Sequence, residues 1–248
     1  MNMSYDYNKE LNLVSFEESF EQAKDGVKGL ICLTGGLDSS YYLWKYAQHT
    51  SHDTIDCHHV NFLPHNRGKT ELATIHRICK YIKDNYNKDI NLIKTELKID
   101  LQHENVKFDS DWVVATYLSR GYAGRLKCKY IVTGDDLPSS YDRVKSYSVL
   151  PEKDSIRIKN VDEMIKTNVM KSSVVTWSSR HDLSEMYNEM PEDYIQLIFS
   201  CYTPEMYKYD HPYYAKRCFK CEACTRLRNF GWYDRTCHKI PKEVKEIL

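Results

Sequence analysis

The chain has 248 residues with 35 basic and 35 acidic side chains, so its formal net charge is zero. A chain of this length can bury a full core as one domain, or as one domain with an appendage. Its balanced charge excludes a global attraction to nucleic acid or to membrane surfaces. It contains no run of about eighteen apolar residues and no apolar signal-peptide core near its N-terminus. We therefore expect a cytoplasmic protein without a membrane partner.

Composition divides the chain into three parts. Residues 1–28 are polar apart from one amphipathic piece around Phe16 and Phe20, which predicts a helix within an N-terminal extension. Residues 29–200 alternate apolar runs with helical patterns and form the main predicted domain. Residues 201–248 contain five of the nine cysteines and are predicted to form a C-terminal segment packed on that domain.

The first motif with chemical meaning is a glycine-containing loop after the apolar run at 30–33. Its sequence is Thr34-Gly35-Gly36-Leu37-Asp38-Ser39-Ser40. Adjacent glycines let the backbone turn tightly and approach a ligand. Asp38 and the two serines after it favour a helix start, whose free N–H groups attract anions. Together with the Thr34 hydroxyl they would form a cradle for phosphate and magnesium. An ordinary strand-to-helix turn is the alternative that these residues leave open.

Strands and helices alternate along the rest of the main domain. The patterns predict strands at 54–62, 91–97, 129–133 and 174–176, and helices at 72–82, 109–127, 161–170 and 182–190. A polar loop at 64–71 precedes the first of these helices. The alternation predicts parallel strands joined by right-handed crossovers, and so an α/β fold with an open, Rossmann-like sheet.

A second polar segment follows the strand at 129–133. Ligands bind open α/β sheets outside the carboxyl ends of the strands, near the point where the strand order reverses. That rule brings the segment close to the glycine-containing loop and to the loop after the second strand. The segment contains three carboxylates and one guanidinium, at Asp135, Asp136, Asp142 and Arg143. The carboxylates would suit magnesium or a purine edge, and the guanidinium would suit a substrate carboxylate. A solvated loop is the alternative.

The cysteines fall into two groups. Four are scattered through predicted strands and helices and suit reduced core thiols, namely Cys32, Cys57, Cys79 and Cys128. Four others have spacings that let thiolates converge on one ion, namely Cys201, Cys218, Cys221 and Cys224. Four soft ligands favour a closed, tetrahedral zinc site. An iron–sulfur cluster stays open, as does replacement of one ligand by Cys237, His211 or His238.

The pair His58-His59 is a weaker metal candidate. It would bind a metal only with ligands from elsewhere in the chain. We expect instead that one of the two histidines faces solvent and that the other is a satisfied core residue.

The glycine-containing loop resembles the PP-loop signature Ser-Gly-Gly-x-Asp-Ser of the ATP pyrophosphatases, with threonine at its first position. It is unlike a Walker A loop, since no Gly-Lys-Ser/Thr follows the glycines. The loop and the cysteine pattern together resemble the 7-cyano-7-deazaguanine synthase (QueC/ExsB-like) family over about residues 29–232. The resemblance implies an adenine nucleotide alpha hydrolase-like PP-loop domain at 29–200 and a zinc-binding segment at 201–248.

The resemblance also implies which residues form the site. Asp38, Ser39 and Arg143 would be catalytic. The ATP site would consist of Thr34, Gly35, Gly36, Leu37, Asp38, Ser39, Ser40, Asn61 and Arg67. The substrate site would consist of Gly134, Asp135, Asp136, Tyr141, Asp142, Arg143 and Arg180. Zinc would bind to Cys201, Cys218, Cys221 and Cys224.

The implied activity is an ATP-dependent ligation in queuosine and 7-deazapurine biosynthesis. ATP adenylates 7-carboxy-7-deazaguanine, ammonia displaces AMP to give an amide, and a second adenylation followed by loss of AMP gives 7-cyano-7-deazaguanine. The implied cofactors are ATP, Mg²⁺ and Zn²⁺. The implied partners are the deazapurine acid, ATP and ammonia, with no direct nucleic-acid contact and with a homodimer left open.

Two departures from the family pattern leave other activities open. The family's Pro-Gly-Arg-Asn stretch is replaced by the residues at 108–112, and its lysine after the late strand is replaced by Arg180. Arginine and lysine differ at phosphate and acyl sites. The alternatives are a variant that stops at the amide, a PP-loop enzyme that modifies tRNA, and an inactive relative that binds zinc or nucleotide.

Overall fold

The computed structural model describes residues 14–63, 66–98, 111–132, 174–177, 183–201, 205–206, 215–221 and 223–225. The elements in the first half of the chain are β1 (Val14–Ser15), α1 (Phe16–Lys24), β2 (Gly29–Cys32), α2 (Leu37–His49), β3 (Thr54–Leu63), α3 (Asn66–Tyr86), β4 (Asp89–Lys98) and α4 (Asp111–Leu126). Those in the second half are β5 (Tyr130–Val132), β6 (Val174–Trp177), α5 (Leu183–Glu189), α6 (Glu192–Ile195), β7 (Glu205–Met206) and β8 (Ala215–Lys216).

The main sheet has six strands in the order β1-β6-β5-β2-β3-β4, and all its strand pairs are parallel. Leu30 of β2 is level with Asp56 of β3 on one side and with Ile131 of β5 on the other. The chain runs outward from β2 through β3 to β4 and then returns to the other side of β2 with β5. The strand order therefore reverses between β2 and β5, where open α/β sheets bind ligands. The predicted α/β fold with an open parallel sheet is confirmed.

Helices cover both faces of this sheet. Alternate residues of a strand point to opposite faces, and Ile31 and Leu33 pack in the larger core with residues of α1, α2 and α3. Leu30 and Cys32 pack with residues of α4 on the other face. All four residues of β2 are buried. This two-sided burial explains why the run at 30–33 is apolar without alternation.

Part of the predicted N-terminal extension belongs to this core. β1 pairs with β6 at the edge of the sheet, and α1 buries Phe20 and Ala23. The Tyr130 hydroxyl, from β5, donates a hydrogen bond to the Ser19 carbonyl oxygen at 3.1 Å. The helix predicted in this part is confirmed. From residue 14 onward, however, the extension shares the sheet and the core of the main domain.

One helix begins earlier than its sequence pattern predicts, and another begins where it is expected. Most of the polar loop predicted before α3 is helical, because α3 begins at Asn66. An ion pair between Arg67 Nε and Glu71 Oε1, at 2.6 Å, supports its first turns at the i,i+4 spacing. α2 begins at Leu37, and its N-cap is Gly36, which offers no side-chain cap hydrogen bond.

Gly29 provides a test of how tightly the sheet packs. A Cβ atom at this position would lie 2.2 Å from a ring carbon of Tyr130, whose side chain is buried. We expect Gly29→Ala to lower the free energy of unfolding by about 2 kcal/mol, a typical cost of overpacking, as measured by urea denaturation. The matched control is Gly121→Ala in α4, where a Cβ atom would have no described neighbour within 4 Å beyond the backbone of its own helix. That change should raise the free energy of unfolding by up to about 1 kcal/mol; equal effects of the two changes would contradict the packing.

Candidate functional site

The loop predicted to bind phosphate connects β2 to α2 at the reversal of strand order. Gly35 has a φ of +73°, a conformation that glycine adopts without steric cost. A Cβ atom at Gly35 would lie 2.9 Å from Thr74 Cγ2 and 3.3 Å from the Glu71 carbonyl oxygen, both in α3. Position 35 therefore requires glycine on two grounds, the backbone conformation and the close contact between the loop and α3.

Three hydroxyl groups accept hydrogen bonds from the N–H groups of this loop. The Thr34 N–H donates to Ser39 Oγ at 3.2 Å, and the Gly36 N–H donates to Thr34 Oγ1 at 3.3 Å. The Leu37 N–H donates to Ser200 Oγ, from a distant part of the chain, at 3.0 Å. Thr34 Oγ1 and Ser39 Oγ are themselves 3.1 Å apart. Because a hydroxyl donates as well as accepts, such groups suit the oxygens of a bound anion.

The N-terminus of α2 continues directly from the loop. Its first intrahelical hydrogen bond runs from the Ser40 N–H to the Gly36 carbonyl oxygen at 3.1 Å. In the preceding turn the N–H groups of Gly36 and Leu37 donate to the hydroxyl groups described above, and the positive end of the helix dipole favours an anion beside the rest of the turn. Asp38 lies in this first turn and is half-buried. Its carboxylate is the ligand type that Mg²⁺ prefers, so the loop and helix together can hold a magnesium-bound phosphate.

A hydrogen bond links His59 of β3 to Leu33, the residue before the loop. His59 Nδ1 lies 3.0 Å from the Leu33 carbonyl oxygen, so Nδ1 carries the proton and donates it. Burial of the ring lowers the pKa of His59 to about 4, and the imidazole is neutral at pH 7. Its Nε2 is therefore an acceptor. This atom is buried and has no hydrogen-bond partner among the described residues.

Asn61 and Arg67, both predicted to contact ATP, lie near His59. Asn61 shares a face of β3 with His59, and its Oδ1 is buried without a hydrogen-bond partner in the described part of the chain. A Cβ atom at Gly68 would lie 1.7 Å from that oxygen, which shows how closely α3 approaches it. Besides burial, the positive charge of Arg67 contributes to the lowered pKa of His59. The roles of both residues in ATP binding stay predictions.

His58 faces the other side of the sheet. Its Nδ1 lies 2.7 Å from Ser119 Oγ, and its Nε2 lies 2.9 Å from Thr95 Oγ1. Burial lowers the pKa of His58 to about 4. The expectation that one histidine of the pair faces solvent is wrong, because helices cover both faces of β3 and both rings are buried. Within the described ranges, neither histidine belongs to a cluster of metal ligands.

The four cysteines predicted as metal ligands converge in the structure. Their Sγ atoms all lie within 4.8 Å of one another, and the Cys218–Cys224 and Cys201–Cys221 pairs are both 4.0 Å apart. A tetrahedral zinc–thiolate centre, with bonds of about 2.3 Å, has its sulfur atoms about 3.8 Å apart. Small movements would therefore bring the four thiols onto one ion, and the cluster can hold a metal.

Backbone groups orient these thiols. The N–H groups of Lys220 and Cys221 lie 3.4 and 3.2 Å from Cys218 Sγ, and the Cys218 N–H lies 3.4 Å from Cys201 Sγ. Phe219 turns the chain between two of the ligands with a φ of +59°. Hydrogen bonds to sulfur favour the charged thiolate, which is the form that binds a metal.

The four scattered cysteines behave as core thiols, as the sequence predicts. All four are free. Burial raises the pKa of Cys79 to about 12 and the pKa of Cys128 to about 11, and it also raises the pKa of Cys57. The thiols of Cys57, Cys79 and Cys128 are therefore protonated at neutral pH and are unsuited to nucleophilic catalysis.

Several predicted residues lie outside the described residues, and their placement stays a prediction. The substrate group among them is Gly134, Asp135, Asp136, Tyr141, Asp142, Arg143 and Arg180. The alternative metal ligands Cys237, His211 and His238 also lie there.

Three residues at this site were not predicted from the sequence, namely His59 as a loop contact, Ser200 and Arg217. Ser200 and Arg217 directly precede Cys201 and Cys218. Their position next to candidate metal ligands is a sequence signal that points to them.

Burial of two neutral histidines should make the stability of the fold depend on pH. The folded-state pKa values of His58 and His59, about 4, lie below the ordinary value of 6.5. Between these values the unfolded chain binds more protons, so the free energy of unfolding should fall as pH decreases from about 6.5 towards about 4. Each histidine contributes at most about 1.4 kcal/mol per pH unit. Urea denaturation across this range should give a shallower fall for His58→Gln and for His59→Gln, and profiles parallel to the wild type would contradict the burial.

The candidate metal site can be tested by measuring the metal content of the purified protein. We expect the purified protein to contain about one metal ion per chain, as a four-cysteine site requires, and Cys224→Ser to lose most of it. Elemental analysis by mass spectrometry measures the ion, and thermal unfolding measures the accompanying loss of stability. The matched control is Cys128→Ser, a half-buried thiol outside the cluster, which should keep its metal. Unchanged metal content in Cys224→Ser would refute the site.

No helix within the described residues is long and apolar enough to span a bilayer. No protein-family model matches the chain, and no curated protein matches it. Among solved structures, the chain is similar to the U34-tRNA thiolase NcsA from Methanococcus maripaludis with its 4Fe-4S cluster. The two are 14% identical, the match covers 94% of this chain and 79% of that chain, and the TM-score is 0.43. A likeness of this strength leaves the function to be argued from the residues of this chain.

Proposed function

We propose that this protein is a PP-loop ATP pyrophosphatase that joins ammonia to 7-carboxy-7-deazaguanine and forms 7-cyano-7-deazaguanine. The observation that carries the proposal is the loop at 34–39. It lies at the reversal of strand order, where its glycine backbone, its hydroxyl groups and the N-terminus of α2 meet. The cluster of four cysteines supports the proposal, because it is the second motif through which the sequence resembles this family.

ATP would bind with its phosphates on this loop. The first turn of α2 and the hydroxyls of Thr34 and Ser39 would donate hydrogen bonds to phosphate oxygens. Asp38 would hold Mg²⁺, which would neutralise part of the phosphate charge. Asn61 Oδ1 and His59 Nε2 are buried acceptors that lack partners among the described residues. Because both atoms are covered by the protein, they would accept hydrogen bonds from the hydroxyl or amino groups of the nucleoside only after neighbouring groups, such as Gly68 beside Asn61, moved.

The first chemical step activates the acid. A carboxylate oxygen of the substrate attacks the α-phosphorus of ATP, a new O–P bond forms, and the bond between the α- and β-phosphates breaks. Pyrophosphate leaves with the bonding electron pair. Fixed N–H dipoles of the loop would stabilise the charge that develops on this leaving group. The acid needs this activation because a carboxylate oxygen is otherwise a poor leaving group.

Ammonia then attacks the acyl carbon, the C–O bond to AMP breaks, and a proton is lost, which gives the amide. The amide oxygen attacks a second ATP in the same way. Loss of AMP and of the amide protons gives the nitrile. Each adenylation releases one pyrophosphate, and both oxygens of the acid leave on AMP. No side-chain nucleophile is required.

The cysteine cluster would hold one zinc ion in a structural role. Sulfur separations of 4.0 Å fit ligands that share a single ion. In a cubane iron–sulfur cluster each cysteine binds a different iron, so the four sulfurs must lie farther apart. Four protein ligands leave zinc no open position for water or substrate. The ion would therefore fix the C-terminal segment and take no part in the reaction.

The direct test is pyrophosphate release by the zinc-loaded protein with ATP, Mg²⁺, ammonium and 7-carboxy-7-deazaguanine. We expect pyrophosphate and AMP to form only when the acid is present, and mass spectrometry to detect the nitrile. Asp38→Ala should lower kcat by about 100-fold, comparable to the loss of one charge-stabilising group. The matched control is Asp53→Ala, an exposed aspartate that precedes β3 at the opposite edge of the sheet; it should leave kcat within about twofold.

Other outcomes would contradict the complete reaction and indicate which part fails. Amide as the sole product would assign a variant that stops after the first ligation. Pyrophosphate release that depends on RNA and not on the acid would assign a tRNA-modifying enzyme. No turnover with either substrate would indicate an inactive relative that binds zinc or nucleotide.

A further inference from the structure

A short segment joins the cysteine cluster to the phosphate loop. The Phe199 N–H donates to the Gly35 carbonyl oxygen at 3.3 Å. Ser200 Oγ accepts from the Leu37 N–H at 3.0 Å. The next residue, Cys201, supplies one thiol of the cluster. A single peptide unit and a single hydrogen bond therefore separate a metal ligand from the first residue of α2.

Arg217 contacts the same segment from its other side. It is completely buried, its Nη1 donates to the Ser200 carbonyl oxygen at 3.0 Å, and its guanidinium lies 5.2 Å from the centre of the Phe199 ring. The residue after it, Cys218, is also a metal ligand, and its N–H donates to Cys201 Sγ. Ser200 is thus held between the Leu37 N–H of the phosphate loop and the side chain of Arg217, which directly precedes a second cysteine of the cluster.

The charge of Arg217 provides a reason for this contact to depend on the metal. A buried guanidinium is costly unless negative charge or polar partners surround it. A divalent ion bound to four thiolates has a net negative charge, and two of those thiolates belong to the neighbours of Ser200 and Arg217. Metal binding would therefore favour the arrangement in which Arg217 holds Ser200. Loss of the metal would change the charge next to Arg217 and weaken its contact with Ser200.

We propose that Ser200 and Arg217 are positioning residues through which metal binding at the cysteine cluster sets the conformation of the phosphate loop. The proposal rests on the phosphate-binding function proposed above for that loop. Ser200 fixes the Leu37 N–H at the start of α2, while Phe199 fixes the Gly35 carbonyl oxygen. These contacts keep the remaining N–H groups of the turn in place for phosphate. Metal-free protein would bind the phosphate chain more weakly, although its sheet is intact.

Pyrophosphate binding, measured by calorimetry on the metal-loaded full chain, tests the role of Ser200. Ser200→Ala removes the acceptor for the Leu37 N–H, and we expect Kd to rise about 5-fold, the typical effect of losing a helix cap. Ser200→Thr keeps a hydroxyl and should stay within about twofold of the wild type. Arg217→Lys lacks the planar guanidinium and should shift Kd in the same direction as Ser200→Ala. Elemental analysis should give the wild-type metal content in all three variants.

A cycle that combines Ser200→Ala with metal removal tests the link itself. We expect chelation to raise the wild-type Kd about tenfold and to raise the Kd of Ser200→Ala clearly less, because that variant has already lost the link. Far-UV circular dichroism checks that the chelated protein keeps its sheet. If the chelated protein unfolds, Arg217→Lys takes the place of metal removal in the cycle.

Two results would overturn the proposal. The first is the same Kd for pyrophosphate in the wild type and in Ser200→Ala. The second is an equal change of Kd in both proteins when the metal is removed, or when Arg217→Lys is introduced in its place. A wild-type protein that binds neither pyrophosphate nor ATP would instead refute the phosphate-binding function of the loop. The failure of the coupling and the failure of the proposed function are therefore distinguishable.

Discussion

The turn at Gly35 is the constraint on which the candidate site depends. β2 is buried between two parallel neighbours, so its chain must pass into α2 across residues 33–36 at the end of the strand. The positive φ of Gly35 and its contact with Thr74 allow this passage. They also press the loop against α3. A larger residue would separate the loop from α3, and the hydrogen bonds to the loop hydroxyls would be disturbed with it.

The cysteine cluster bears on the stability of the segments around it. The described residues around it form only short strands and a single helical turn, and the apolar cluster among them consists of Phe199 and the thiols themselves. Such segments bury too little apolar surface to hold a conformation alone. A metal ion held by the four thiols would supply a cross-link. Because Ser200 and Cys201 are neighbours, the same cross-link would reach the loop at the reversal of strand order.

The parts of the fold that could be predicted are those that depend on residues close together in the sequence. β2 was predictable because a parallel strand buried on both faces is a continuous apolar run. The loop and the four cysteines were predictable because their residue types occur at spacings that the chemistry requires. The start of α3 was misplaced because polar residues in a first helical turn resemble a loop. The i,i+4 spacing of Arg67 and Glu71, which form an ion pair in the structure, is a sequence feature that favours a helix there.

The parts that could not be predicted depend on contacts between distant segments. β1 has two residues, and it is a strand only because β6 pairs with it. Both histidines of the pair in β3 are buried because α3 and α4 cover opposite faces, which no alternation within the strand reveals. Ser200 and Arg217 act through a hydroxyl, a carbonyl and a buried guanidinium. No spacing pattern in the sequence marks such contacts.

The most direct test of the central claim is a crystal structure of the metal-loaded protein with Mg²⁺ and an ATP analogue that resists cleavage between the α- and β-phosphates. We predict that the phosphates lie on the N–H groups at the start of α2, with Mg²⁺ beside Asp38 and with Ser200 still hydrogen-bonded to Leu37. A nucleotide bound away from the loop at 34–39 would contradict the assignment of the site. Phosphates bound to a loop that has moved away from Ser200 would contradict the coupling to the cysteine cluster.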